Sequence, residues 1–342
     1  MTESAPSTRP TWTDEQALAL HAIRAAFRQS KIPFGDAQSA AERAVIPSNL
    51  PEGLFITSTM VPPSLDIPAS ILQNPVVHPA ETPLFFYTTS AEPPSLGGMP
   101  ARGTKVIFFV HGGGNVIGHP TGQGTLPFLS DLVRKLVAGI SARALIAAPS
   151  FRLATVPENC FPAALQDLYS AYSYLIKEGY DAKDVTIAGE SGGGNLALIL
   201  TYLISQSSPH ALPDHVVTIA PAADLTHTLS DFAKAQADAD LLSIASYEAA
   251  SSQYLAAFPA NDPLASSTFI NFPPSWPKTL IMVGTADQLI DASRTIAKKI
   301  EEAGNTVKLI EFDDLPHGWW LFPSIFNQIN DAIDKIVQFV QS

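Results

Sequence analysis

The 342-residue chain is short of several things at once, and each shortage closes a class of function. It holds one cysteine, Cys160, so no disulfide can form within it. No Cys or His cluster has the spacing of metal ligands, and no metal is expected. Charged residues make up only 15% of the chain and lean acidic, with a formal net charge of −12. Nucleic acid, which needs a basic face, is excluded as a partner. The longest strongly apolar stretch, Leu196 to Ile204, is too short to span a bilayer, so stable membrane insertion is not expected. The start, MTESAPSTRP, lacks the basic-then-apolar order of a secretory signal, and a cytoplasmic location is expected. There is no GxGxxG fingerprint and no internal repeat. "GGMPARGTK" (97–105) comes near a phosphate loop, but Thr104 and Lys105 stand in the wrong order, so it reads as a plain loop.

What is present is apolar and ordered: 46% of residues are hydrophobic, enough for a sizeable core. Residues 12–29 read as a helix, with Thr13 and Gln16 in capping-box spacing and Leu20, Ile23 and Phe27 on one face. A second helical segment is expected near Asp36 to Ala44. Between Pro47 and Arg102 the chain turns to prolines, serines and two β-like runs, Phe55–Met60 and Leu84–Thr89. From residue 105 it alternates. Apolar β-rich runs fall at Val106–Val110, Ala144–Pro149, Val185–Gly189, Val216–Pro221, Thr279–Gly284 and Val307–Phe312. Helical patterns lie between or after them, at Leu126–Ala138, Ala163–Glu178, Asn195–Ser205, Ala292–Ala303 and Ile325–Val340. Continuous apolar strands separated by helices predict an α/β fold with a mostly parallel sheet covered on both faces. Residues 223–262 break the alternation; they carry no strand, read as helical over Leu241–Phe258, and form an excursion over the sheet edge.

Sites in such sheets lie beyond the carboxyl ends of the strands, and there the chemistry collects. Val185–Gly189 runs into Gly189-Glu190-Ser191-Gly192-Gly193, a G-x-S-x-G turn between strand and helix that pushes a serine hydroxyl outward. A serine needs a base, and the base an orienter. His317 follows the last apolar strand, and Asp287 follows the one before it. The order Ser191, Asp287, His317 is that of an α/β-hydrolase. Asp291 is the rival acid, but it abuts the helix near Ala292 and reads as its cap; Asp313 and Asp314 read as a solvated turn. After Val110 comes His111 and then three bare glycines. Backbone N–H groups of Gly113, Gly114 and Gly192 are the candidate donors to an oxyanion, with His111 pinning the loop. Asn115, His119, Trp319 and Trp320 are the candidates for substrate contact.

These stretches together resemble the hormone-sensitive-lipase-like esterases of the α/β-hydrolase superfamily. The resemblance rests on "HGGG" (111–114), "FRLA…PE…FPAALQD" (151–167), "GESGGGNLAL" (189–198), "DQLID" (287–291) and "AGNTVKLIEFDDLPHGW" (303–319). It implies a serine carboxylic-ester hydrolase, with Ser191, Asp287 and His317 as the triad, Gly113, Gly114 and Gly192 as the oxyanion hole, and no cofactor. It also implies an N-terminal helical cap (1–50) on a catalytic domain (51–342), with the 223–262 excursion beside the cap. The departures are Asn115 after HGGG where an apolar or aromatic residue is usual, Glu190 and Gly192 around the serine, Thr155 and Val156 as extra residues, and the Trp319–Trp320 pair. They bear on the substrate, expected to be a small ester of short to medium acyl chain, and leave the reaction class alone. A small-molecule receptor on the same fold, and acyl transfer or lactone cleavage by the same residues, remain open alternatives.

Overall fold

The apolar runs pair side by side into one sheet. In the computed structural model, which describes residues 8–29, 38–90, 103–140 and 143–342, the strands are β1 (Phe55–Val61), β2 (Thr82–Thr88), β3 (Val106–Val110), β4 (Leu145–Pro149), β5 (Val185–Glu190), β6 (His215–Ile219), β7 (Lys278–Gly284) and β8 (Val307–Phe312). Their spatial order is β1-β2-β4-β3-β5-β6-β7-β8. β1 with β2 and β2 with β4 are antiparallel; every later pair is parallel. Every residue of β3, β4, β5 and β6 is buried, as a sheet covered on both faces demands. The edge strand β8 is half-exposed along most of its length.

The helices are α1 (Asp14–Gln29), α2 (Thr125–Gly139), α3 (Ala163–Lys177), α4 (Gly192–Ser207), α5 (Asp231–Lys234), α6 (Ile244–Leu255), α7 (Ile290–Glu302) and α8 (Gln328–Phe339). Apolar residues of α2, α8 and the α1 residue Leu20 share one core with one face of the sheet. Those of α3, α4, α6 and the inner side of α7 share the other. Among the described residues no helix is long and apolar enough to cross a membrane.

The capping box forms as the spacing predicts: the Gln16 N–H donates to Thr13 Oγ1 (3.1 Å) and the Thr13 N–H to Gln16 Oε1 (2.9 Å). The Phe27 side chain, and residues 91–102 with most of the glycine-rich loop, lie outside the described residues. The expected second helix is a correction. Residues 30–37 are likewise outside the description, and the rest is a single 3₁₀ turn, Glu42–Ala44. Ser39 and Glu42 bond each other reciprocally there (Ser39 N–H to Glu42 Oε2, 2.7 Å). Val45 is already extended, and Pro47 keeps the following step from coiling. The helix of the excursion is also shorter than the pattern suggests: Ser243 precedes it in extended backbone and Ala256, at φ 53°, ends it.

The FRLA and LQD stretches meet in the core. Arg152 donates through Nε and Nη2 to Asp167 Oδ1 (3.0 and 2.8 Å), and its backbone N–H donates to Asp167 Oδ2 (2.8 Å). Both side chains are buried. Removing one partner strands the other charge away from water. Asp167→Ala is therefore expected to destabilise the protein by about 3–5 kcal/mol, read from urea unfolding; a loss under about 1 kcal/mol, the range of an exposed pair, would contradict this account.

Candidate active site

β5 delivers Ser191 into a sharp turn at φ 53° and ψ −124°, an uncommon conformation for a residue with a side chain. Hydrogen bonds hold it there: the Ser191 N–H donates to Ile219 O (2.9 Å), and its own carbonyl accepts from Ala222 N (2.9 Å) and Gly194 N (3.0 Å). The turn needs glycine at 193, where a Cβ would sit 2.2 Å from Val110 O. α4 begins directly behind the serine, so its unpaired N–H groups face the same spot.

Three side chains that are distant in sequence come together at this turn. Ser191 Oγ lies 2.9 Å from His317 Nε2, and His317 Nδ1 lies 2.9 Å from Asp287 Oδ2. With the imidazole proton on Nδ1 donated to Asp287, Nε2 is free to accept from the hydroxyl. Asp287 is fully buried, and its other oxygen accepts from Leu289 N (2.7 Å). Burial pulls the His317 imidazole down, but the charge and hydrogen bond of Asp287, and then the charges of Asp240 and Glu190, outweigh it and hold the group above its ordinary value. Asp291 takes no part and does not cap its own helix. α7 starts two residues earlier than the pattern suggests, which puts Asp291 inside its first turn, and the carboxylate accepts from the Ser230 backbone N–H (3.0 Å).

The glycine loop after β3 lies against this group. A Cβ on Gly192 would come within 3.1 Å of Gly114 Cα and N, so the two backbones touch. Gly113 is at φ +101°, and a Cβ there would lie 2.1 Å from Ile117 O. Ala250 of α6 packs on Gly114, 2.9 Å from where its Cβ would be, so the excursion forms one wall beside the loop. His111 does pin the loop: Nδ1 lies 2.8 Å from the Gly112 carbonyl, and the ring stacks on Phe151 at 4.4 Å. Burial pushes its imidazole down to about 4, so it stays neutral.

Glu190, inside the serine turn, has a role that the sequence pattern did not reveal. It is buried, and its Oε1 accepts from Gly112 N (2.5 Å), tying the serine turn to the glycine loop. Burial raises its carboxyl.

Of the four substrate-contact candidates, Asn115 lies nearest the serine turn. It is buried at φ 64°, beside Gly192, and its Oδ1 has no hydrogen-bond partner among the described residues. His119 is engaged on both nitrogens, by Thr121 Oγ1 (2.8 Å) and the Arg43 carbonyl (2.8 Å), and so joins the loop to the N-terminal segment. Trp319 and Trp320 are fully buried and offer a substrate no surface. Trp319 packs on Phe312, and Trp320 sets its face or edge at 81° to the His317 ring, 5.3 Å away. Large indoles following a strand end are drawn into the core by their area, which sequence position alone does not reveal. Asp314 is likewise no free turn residue: its carboxylate accepts from Thr11 N (3.1 Å) and its carbonyl from Trp12 Nε1 (2.8 Å).

A parallel sheet with a serine turn after β5, an acid after β7 and a histidine after β8 defines an α/β-hydrolase. The match to the family model of the alpha/beta hydrolase fold runs over residues 107–321, and the chain belongs to that family. The chain is similar to an esterase of Acinetobacter venetianus (28% identical over 243 residues, 71% of this chain and 76% of the relative). It is similar also to an acetyl-hydrolase of Streptomyces hygroscopicus (29% over 245 residues, 71% and 78%) and an ethyl acetate hydrolase of Pseudomonas putida (27% over 252 residues, 71% and 74%). In fold it matches the crystal structure of an esterase from the bacterial hormone-sensitive lipase family, with a TM-score of 0.72 at 23% identity over 96% of this chain and 97% of that one.

Proposed function

We propose that Ser191 attacks an ester carbonyl, that His317 takes its proton, and that Asp287 orients the imidazole and stabilises its charged form. Carboxylic-ester hydrolysis is the activity of this hormone-sensitive-lipase-like enzyme. The alkoxide oxygen that forms on attack is received by the N–H groups of Gly113, Gly114 and Gly192. His317 then returns its proton to the leaving alcohol, and the same histidine activates water to cleave the acyl-enzyme. The observation that carries this reading is the continuous Ser191–His317–Asp287 hydrogen-bonded chain, at 2.9 Å per link, beside two touching glycine backbones.

The substrate is an ester of short to medium acyl chain, enclosed by a cap made of residues 1–50 and the 223–262 excursion. Ala250 against Gly114 narrows the space beside the glycine loop. Supporting this reading, α1 is fastened by Gln16 Nε2 to Ile325 O (2.9 Å), and Arg43 by its contacts with Ser150 O and Glu81 O. That acetyl-hydrolase and ethyl acetate hydrolase are among the relatives supports a small acyl group. The test is kcat/KM for p-nitrophenyl esters from acetyl to palmitoyl. Activity should be highest among the short and medium esters and fall steeply toward palmitoyl. Loosening α1 with Leu20→Ala should flatten that fall. A palmitoyl optimum would refute the acyl preference, and an unchanged profile in a folded Leu20→Ala protein would refute the cap's part in it.

A further inference from the structure

We propose that Asp240 is a positioning residue for the hydrolysis, its carboxylate tying the 223–262 excursion to both loops that carry Asp287 and His317. The proposal rests on the roles given above to those two residues.

Asp240 is 1% exposed and lies three residues before α6 begins its approach at Ser243. Its Oδ1 accepts from the backbone N–H of His317 itself (2.6 Å) and from Leu242 N (3.3 Å). Its Oδ2 accepts from the backbone N–H of Gln288 (2.8 Å), the residue next to Asp287, and from Gln288 Nε2 (3.3 Å). One carboxylate thus holds the main chain of the base and the main chain beside the acid, one on each oxygen. The distance between the two loops is then set by the fixed width of a carboxylate.

The placement is costly, which argues that it is used. Burial pushes the Asp240 carboxyl up, and the charge of Asp287 pushes it further, while His317 and the donated N–H groups pull it back. The other charged or titratable groups around this cluster are Glu190 near His317, the Tyr247 hydroxyl of α6, and Arg24 of α1. A neutral amide, with one acceptor oxygen, could not accept from both loops, and a second carboxylate beside Asp287 also adds negative potential at the imidazole. A cavity of about 230 Å³, lined by Arg24, Asp240, Leu242 and Gln288 among others, lies against it. Arg24 donates to the carbonyls of Ala237 (2.8 Å) and Asp238, so the same segment is also fastened to the N-terminal helix.

The experiment compares the full-length wild type with Asp240→Asn, using p-nitrophenyl acetate. Asparagine keeps the shape but puts donors where an N–H already points, and it removes the charge. Expected are a kcat lower by about 10- to 100-fold, the cost of a small misplacement of reacting groups, and a KM within about threefold, since the change acts through the transition state. The acid limb of the kcat/KM profile should move to lower pH, because an imidazole with less negative charge around it gives up its proton more readily. Arg24→Ala, at the far end of the link, should lower kcat in the same direction by less, and it serves if Asp240→Asn does not fold. Unchanged kcat with an unmoved acid limb would overturn the proposal, as would a loss confined to KM or one that disappears once the assay temperature is set well below the melting point of the variant. Stoichiometric labelling of wild-type Ser191 by a fluorophosphonate separates the cases. Labelled wild type with an indifferent Asp240→Asn removes the role of Asp240 only; unlabelled wild type removes the underlying reading of the site.

Discussion

Ser191→Ala is expected to abolish measurable esterase turnover while leaving the fold in place. The loss should approach about 10⁶-fold in kcat, the scale known for removing a triad serine. The reason is chemical: among the described residues no other hydroxyl lies on His317 Nε2, and the ester carbonyl loses the nucleophile that attacks it. The fold should tolerate the change, because the turn is held by backbone bonds of Ser191 and not by its hydroxyl. The measurement is kcat with a fluorophosphonate label followed by peptide mapping. A label on any residue other than Ser191, or turnover by the alanine variant within a hundredfold (~10²) of wild type, would overturn the assignment of the nucleophile.

Asp287→Asn should produce the second-largest effect, a fall in kcat of about 10⁴-fold. An amide facing Nδ1 favours the tautomer whose proton sits on Nε2, where it can no longer accept from the serine. The charge that stabilises the imidazolium is lost as well. The paired substitution, Asp291→Asn, should be mild, because it touches only a half-exposed contact with the Ser230 N–H. If Asp291→Asn proved the more damaging of the two in kcat, Asp287 would not be the orienter.

Some of this architecture can be read directly from the chain because it is written locally. The six apolar runs from Val106 onward became six parallel-sheet members: the first five are buried along nearly their whole length, as strands covered on both faces are, and the sixth, broken by Lys308 and Glu311, is the half-exposed edge strand β8. The glycines around Ser191 and after His111 are legible for the same reason: each removes a Cβ that its own turn or its close neighbour could not hold. The order of Ser191, Asp287 and His317, each after its own strand, predicts a meeting that the sheet then brings about.

Tertiary structure alone decided the rest. Asp240 and His317 are 77 residues apart, and nothing in the neighbourhood of either announces the other. Glu190 could be read as a variant of a motif but not as the partner of Gly112, 78 residues away. Trp319 and Trp320 have the composition of a substrate wall and the position of a core, and only packing, which removes their large apolar faces from water, distinguishes the two. Patterns of period and turn follow from steric rules that act over a few residues. Which buried carboxylate meets which N–H depends on how separate loops approach, and that is fixed by the register of the strands beneath them.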